Sequence, residues 1–224
     1  MNYFTKTEKG IWLGSVFLIT LSFLFFDRGS YLNLISSLIG ATSLIYCAKG
    51  NPFGQVLIII FSLLYGAISY ACRYYGEVAT YVGMTLPMAI IALVEWVRHP
   101  FKGNKSEVEV RKITLKDHII MWSLAVVVTA TFYFILKYFN TANLAFSTLS
   151  VTTSFVAVYL TSRRSPYYAI AYAANDVVLI VLWLLASLKD VKYVSVLACF
   201  TAFLVNDIYG FINWRRMEKR QQEN

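Results

Sequence analysis

The chain has 224 residues, of which 58% are hydrophobic, 17% aromatic and 14% charged, with a net charge of +8. A soluble domain of this length carries about 25% charged residues, so a soluble globular fold is excluded. The basic residues cluster in short segments between apolar runs, which marks membrane orientation and argues against a nucleic-acid partner.

A bilayer crossing needs about 20 mostly apolar residues. Eight runs qualify in chain order: 11–26, 31–48, 53–72, 77–97, 118–138, 142–161, 167–188 and 191–213. The first is short and follows a basic start, but ends in "FLFFDRGS" with no small-x-small cleavage pattern, so it reads as a retained helix. In the fourth, Pro87 predicts a kink or a weak point suited to gating, and Glu95 beside Trp96 and Arg98 predicts an interfacial ion pair. With a cytoplasmic N-terminus, the inner segments hold 15 of the 20 Lys and Arg; the outer loops hold Arg28, Arg73, Lys137, Lys189 and Lys192. That bias predicts both termini and the polar 98–117 loop on the cytoplasmic side of the cell membrane. Cys47, Cys72 and Cys199 lie in or beside apolar runs, as buried thiols would, and His99 and His118 flank the polar loop. No metal or cofactor is expected, and no nucleophile motif points to an enzyme.

Two stretches look like copies of one another. "AKGNPFGQ" and "SRRSPYY" each place a basic residue and then Pro52 or Pro166 at a helix start, where a missing N–H costs nothing. Downstream, "VEWVR" and "INWRR" each end a hairpin in a Trp, Trp96 or Trp214, followed by Arg. The expected architecture is therefore all-α: an N-terminal segment with an extra helix (1–29), a first three-helix bundle (30–97), a loop and linker helix (98–141), a second bundle (142–214) and a basic tail (215–224). An odd number of crossings per bundle plus one linker makes the bundles parallel, a transporter plan with its site between repeats.

The polar residues inside the apolar runs are the candidate site. In the seventh run Tyr168, Tyr172, Asn175, Asp176 and Trp183 share a sector of about 100°. In the eighth, Asn206 and Tyr209 lie at i and i+3, with Asp207 one position round. Helical rise puts Asp176 and Asp207 at similar depth on neighbouring helices. A buried acid in a bilayer either pins helix packing or serves a site; two Asn-Asp pairs beside an aromatic stripe favour the site. Gln55, with Tyr65 beside its face, supplies the first bundle's version, although small residues on that helix also suit close packing. Carboxylates disfavour phosphorylated ligands, whereas rings and amides suit a small, hydroxylated, neutral or cationic ring compound.

Over roughly residues 30–220, and most clearly in "SRRSPYYAIAYAANDVVLIVLWLLASLKDVKYVSVLACFTAFLVNDIYGFINWRRMEKRQ", the chain resembles the PnuC-type vitamin transporters, best known as nicotinamide riboside carriers. The resemblance implies a SWEET-like fold, a homotrimer, and facilitated diffusion with the substrate trapped by phosphorylation inside the cell. The family pattern W-x-x-W-x-x-x-N falls on Tyr168, Ala171 and Asn175, so only the Asn matches and the rings must be completed elsewhere, by Tyr172 or Trp183. Thiamine is the alternative vitamin, riboflavin ranks last, and a sugar is the choice of the wider SWEET-like fold. A binding subunit dependent on an ATPase partner is the alternative mode of action, and titrating aspartates would allow proton coupling.

Overall fold

A computed structural model describes residues 3–71 and 75–223; Cys72 and Arg73 lie outside the described residues. Eight helices are long and apolar enough to cross a membrane: α1 (Lys6–Phe26), α2 (Tyr31–Ala48), α3 (Phe53–Ala71), α4 (Tyr75–Arg98), α5 (Leu115–Tyr138), α6 (Leu144–Ser162), α7 (Tyr168–Ser187) and α8 (Val194–Glu223). The expected eight spans are therefore present, and the differences lie at their polar ends. Helices α1 and α5 begin several residues before their apolar runs because Thr5–Glu8 and Thr114–Asp117 form capping boxes, each satisfying two end N–H groups reciprocally. Helix α8 continues through the basic segment after Trp214, since leaving lipid removes the need for apolar side chains without ending the helix.

One element departs from the all-helical expectation. Inside the polar loop, β1 (Pro100–Phe101) and β2 (Asn104–Val108) pair antiparallel. Lys102 and Gly103 between them both have positive φ, 46° and 78°, the twist that a two-residue hairpin turn needs. A Lys-Gly dipeptide is a weaker turn signal than Asn-Gly, which is why sequence reasoning passed over it.

The turns after α2 and α6 match closely. Gly50 and Arg164, each two residues before the Pro, take left-handed φ values of 66° and 58°. Gly50 N–H donates to Cys47 O and Arg164 N–H to Thr161 O, at 2.9 and 3.0 Å. Helix α8 packs against α2, and α4 against α6, so the third helix of each unit touches the first helix of the other. Two indoles mark this exchange. Trp96 Nε1 donates to Thr161 O at 2.9 Å and Trp214 Nε1 to Cys47 O at 2.8 Å, while their ring centroids lie 5.4 Å apart. Both side chains have no exposed surface. Tyr168 edges onto Trp214 at 4.9 Å and closes the cluster.

The hairpin straps both turns. Val108 N–H donates to Gly50 O at 2.9 Å and Arg111 N–H to Arg164 O at 3.0 Å. Gln221 near the end of α8 bonds Glu107, Val108 and Val110, and Arg220 pairs with Glu107. Helix α1 lies outside the two units against α8 and α2. Its anchors are polar: Glu8 pairs with Lys49 at 3.2 Å, and Trp12 Nε1 donates to Thr42 at 3.1 Å. Glu95, expected to form an interfacial ion pair, faces His99 at 3.5 Å.

Candidate functional site

A cavity of about 450 Å³ opens at the end of the bundle opposite the hairpin. Helices α4, α6 and α7 form its walls, and the α5–α6 and α7–α8 connections form its rim. The lining is mixed. Tyr75, Tyr81, Phe139, Trp183 and Tyr193 supply rings, and Asn140, Asn143 and Asn175 supply amides. Thr80, Thr85, Ser147, Ser150 and Ser154 supply hydroxyls, and the charged groups are Glu77 and Lys189.

Asn175 sits deep in the cavity because α7 starts sharply at the Pro166 turn and carries it two turns further on. Thr153 Oγ1 bonds its Oδ1 at 2.8 Å, which fixes one end of the amide and leaves the other for the cavity. Trp183 lies about 12 Å further along α7 on the same side, tilted against Tyr193 with centroids 5.5 Å apart. Its Nε1 is buried with no hydrogen-bond partner among the described residues. An unpaired indole donor costs about 1–3 kcal/mol.

Along α4 the wall is irregular. Tyr81–Thr85 form a π-turn in which Leu86 N–H reaches back to Tyr81 O. Pro87 follows at once, and its missing N–H and ring displace the normal ladder there. The break expected at Pro87 thus takes the form of a widened turn that places Tyr81 and Thr85 on the cavity.

The other residues singled out from the sequence lie away from this cavity. Tyr168 is buried against both Trp rings, and Tyr172 packs beside it at 6.2 Å. Gln55 is buried near Tyr172, with its Nε2 on Cys47 Sγ at 3.4 Å. These three belong to the closed floor between the cavity and the hairpin. Tyr65 packs on Tyr81 at 4.6 Å from the opposite side of α4 and borders a small pocket between α1, α2 and α8. Asn206 turns toward α1, donating to Ser15 Oγ at 2.8 Å, and Tyr209 donates to Glu8 at 3.0 Å. Asp176 and Asp207 do face one another in the α7–α8 contact. Both are buried, and neither borders the cavity. Helical-wheel reasoning put Tyr168, Tyr172, Asn175, Asp176 and Trp183 on one stripe of α7, and set Asn206, Asp207 and Tyr209 near one face of α8. It could not say which neighbour each would face, and the extra helix α1 takes one side of α8.

Sequence reasoning also missed Glu77, Tyr81 and the rim. Glu77 lies at the start of the fourth apolar run, where an acid resembles an ordinary helix-end charge. In the structure Ser69 Oγ donates to its Oε2 at 3.0 Å and it borders the cavity.

A helical membrane bundle with two matching Pro-flanked turns and a ring-lined cavity of mixed polarity open at one end is the construction of a small-solute membrane carrier. Comparison with known proteins makes the assignment specific. Residues 30–216 match the family model described as nicotinamide mononucleotide transporter, and the chain belongs to that family. It is similar to the nicotinamide riboside transporter PnuC of Neisseria mucosa, at 24% identity over 95% of this chain and 82% of the relative. The Haemophilus influenzae protein of the same name is 21% identical over 85% of this chain and 82% of the relative. The crystal structure of a vitamin B3 transporter PnuC shares the fold, with a TM-score of 0.83 and 22% identity over 99% of this chain and 95% of that one. The PnuC-type resemblance and the multi-pass helical fold read from the sequence are thus borne out.

Proposed function

We propose that this protein takes up nicotinamide riboside by facilitated diffusion, with phosphorylation inside the cell trapping the product. The observation that carries the reading is the 450 Å³ cavity, which offers rings, amides, hydroxyls and one carboxylate. A positively charged pyridine ring joined to a hydroxylated sugar needs those partners. The names of the Neisseria and Haemophilus relatives support the same substrate. Lys189 at the rim is the one Lys or Arg in the lining among the described residues, which makes a phosphorylated nucleotide the poorer fit.

With the basic hairpin end in the cytoplasm, the cavity faces outward and the Trp96–Trp214 floor closes the inner side. Transport then requires that floor to open while the rim closes, the two matched units moving against each other. The homotrimer belongs to the same proposal and rests on the family resemblance. Thiamine is the second reading. Tyr168 is packed into the floor and position 171 is Ala, so both rings of the family pattern are missing from the cavity and its ring selectivity must come from other residues.

Calorimetric titration of the purified protein with nicotinamide riboside, thiamine and riboflavin tests the substrate. Saturable binding of nicotinamide riboside alone supports the proposal, and thiamine binding alone replaces it. Uptake into vesicles holding this protein and no ATPase distinguishes a carrier from a binding subunit, which would bind substrate but leave the lumen empty.

A further inference from the structure

We infer that Glu77 sets the charge preference of the cavity, selecting cationic ring compounds over neutral ones of the same shape. The inference rests on the uptake reading above and deepens it by assigning a residue to the selection. Among the described residues Glu77 is the one acid in the cavity lining, since Asp176 and Asp207 are turned toward each other in the α7–α8 contact. Its Oε2 is held by Ser69 at 3.0 Å, and among the described residues it makes no ion pair. A carboxylate with so little compensation in a ring-lined cavity gains most from a ligand that brings the opposite charge.

The position is also built, not incidental. A Cβ added at Gly76 would lie 2.7 Å from Thr141 Oγ1 and 2.8 Å from Leu136 Cδ2, so glycine lets α4 seat tightly on the α5 end and hold the neighbouring carboxylate in place. One turn beyond, the π-turn brings Tyr81 onto the same cavity, and Tyr75 flanks it from the other side. A cation before Glu77 therefore meets aromatic faces as well as the carboxylate, two attractions that reinforce each other.

The test compares nicotinamide riboside, a cation, with its reduced dihydro form, a neutral molecule of nearly the same shape. Both are titrated into wild type, Glu77→Gln and Glu77→Asp, with circular dichroism and size-exclusion elution establishing that each variant is folded. Glu77→Gln is expected to weaken binding of the cation about tenfold or more and leave the neutral form unchanged. Glu77→Asp, which keeps the charge, is expected to retain the preference, and it carries the test if the Gln variant does not fold. Unchanged binding of the cation by Glu77→Gln, or equal weakening of both forms, overturns the inference while the uptake reading stands. Wild type that binds neither form overturns both.

Discussion

Replacing Trp214 by Phe, and separately Trp96 by Phe, should cost nearly the same stability. Each change removes one indole N–H donor, the bonds of 2.8 and 2.9 Å to Cys47 O and Thr161 O. Neither carbonyl is orphaned, because Gly50 N–H and Arg164 N–H still donate to them. The loss is therefore that of an ordinary net hydrogen bond, about 1 kcal/mol. The smaller ring leaves roughly 40 Å³ unfilled in a site with no exposed surface, which adds about 1 kcal/mol at about 24 cal/mol per Å³. Each variant should lose about 2 kcal/mol, a fall in Tm of about 4–8 °C for a chain of this size. The rings touch at 5.4 Å, so the double variant should depart from the sum of the single effects. Thermal unfolding in detergent, followed by circular dichroism, measures all three. A large loss for one Trp with none for the other would refute the equivalence of the two turns.

Asn175→Ala should weaken substrate binding at least tenfold and change stability little, whereas Asn206→Ala should leave binding intact and cost about 1–2 kcal/mol by breaking the bond from α8 to Ser15 of α1; calorimetry and thermal unfolding on the two proteins separate these outcomes. Gly54→Ala should destabilise by about 1–3 kcal/mol, because the added Cβ would meet Cys47 Sγ at 2.5 Å and Cys47 N at 2.7 Å, and backbone cannot swing aside as a side-chain tip can. A cysteine placed at Ser106, exposed on β2, should resist an impermeant thiol reagent applied to intact cells and react once the membrane is opened. Labelling of intact cells would reverse the proposed orientation.

The membrane class, the eight spans and the kinship of the two Pro-to-Trp stretches were legible in the chain itself. Lipid demands unbroken apolar runs, and a turn flanked by Pro has few alternatives, so those features depend on neighbours in sequence. The depth of the Asp176–Asp207 meeting was legible too, since helical rise is constant. What a side chain faces depends instead on which helix packs beside it. Asn206 and Tyr209 were indistinguishable from site residues until α1 was found lying against them, and Tyr168 until the two Trp rings enclosed it. Glu77 became a cavity residue only because α6 and α7 stand across from it, and the floor exists because indoles far apart in the chain arrive at one point. Periodicity supplies depth and face, while the choice among neighbours belongs to packing, and that choice made the cavity.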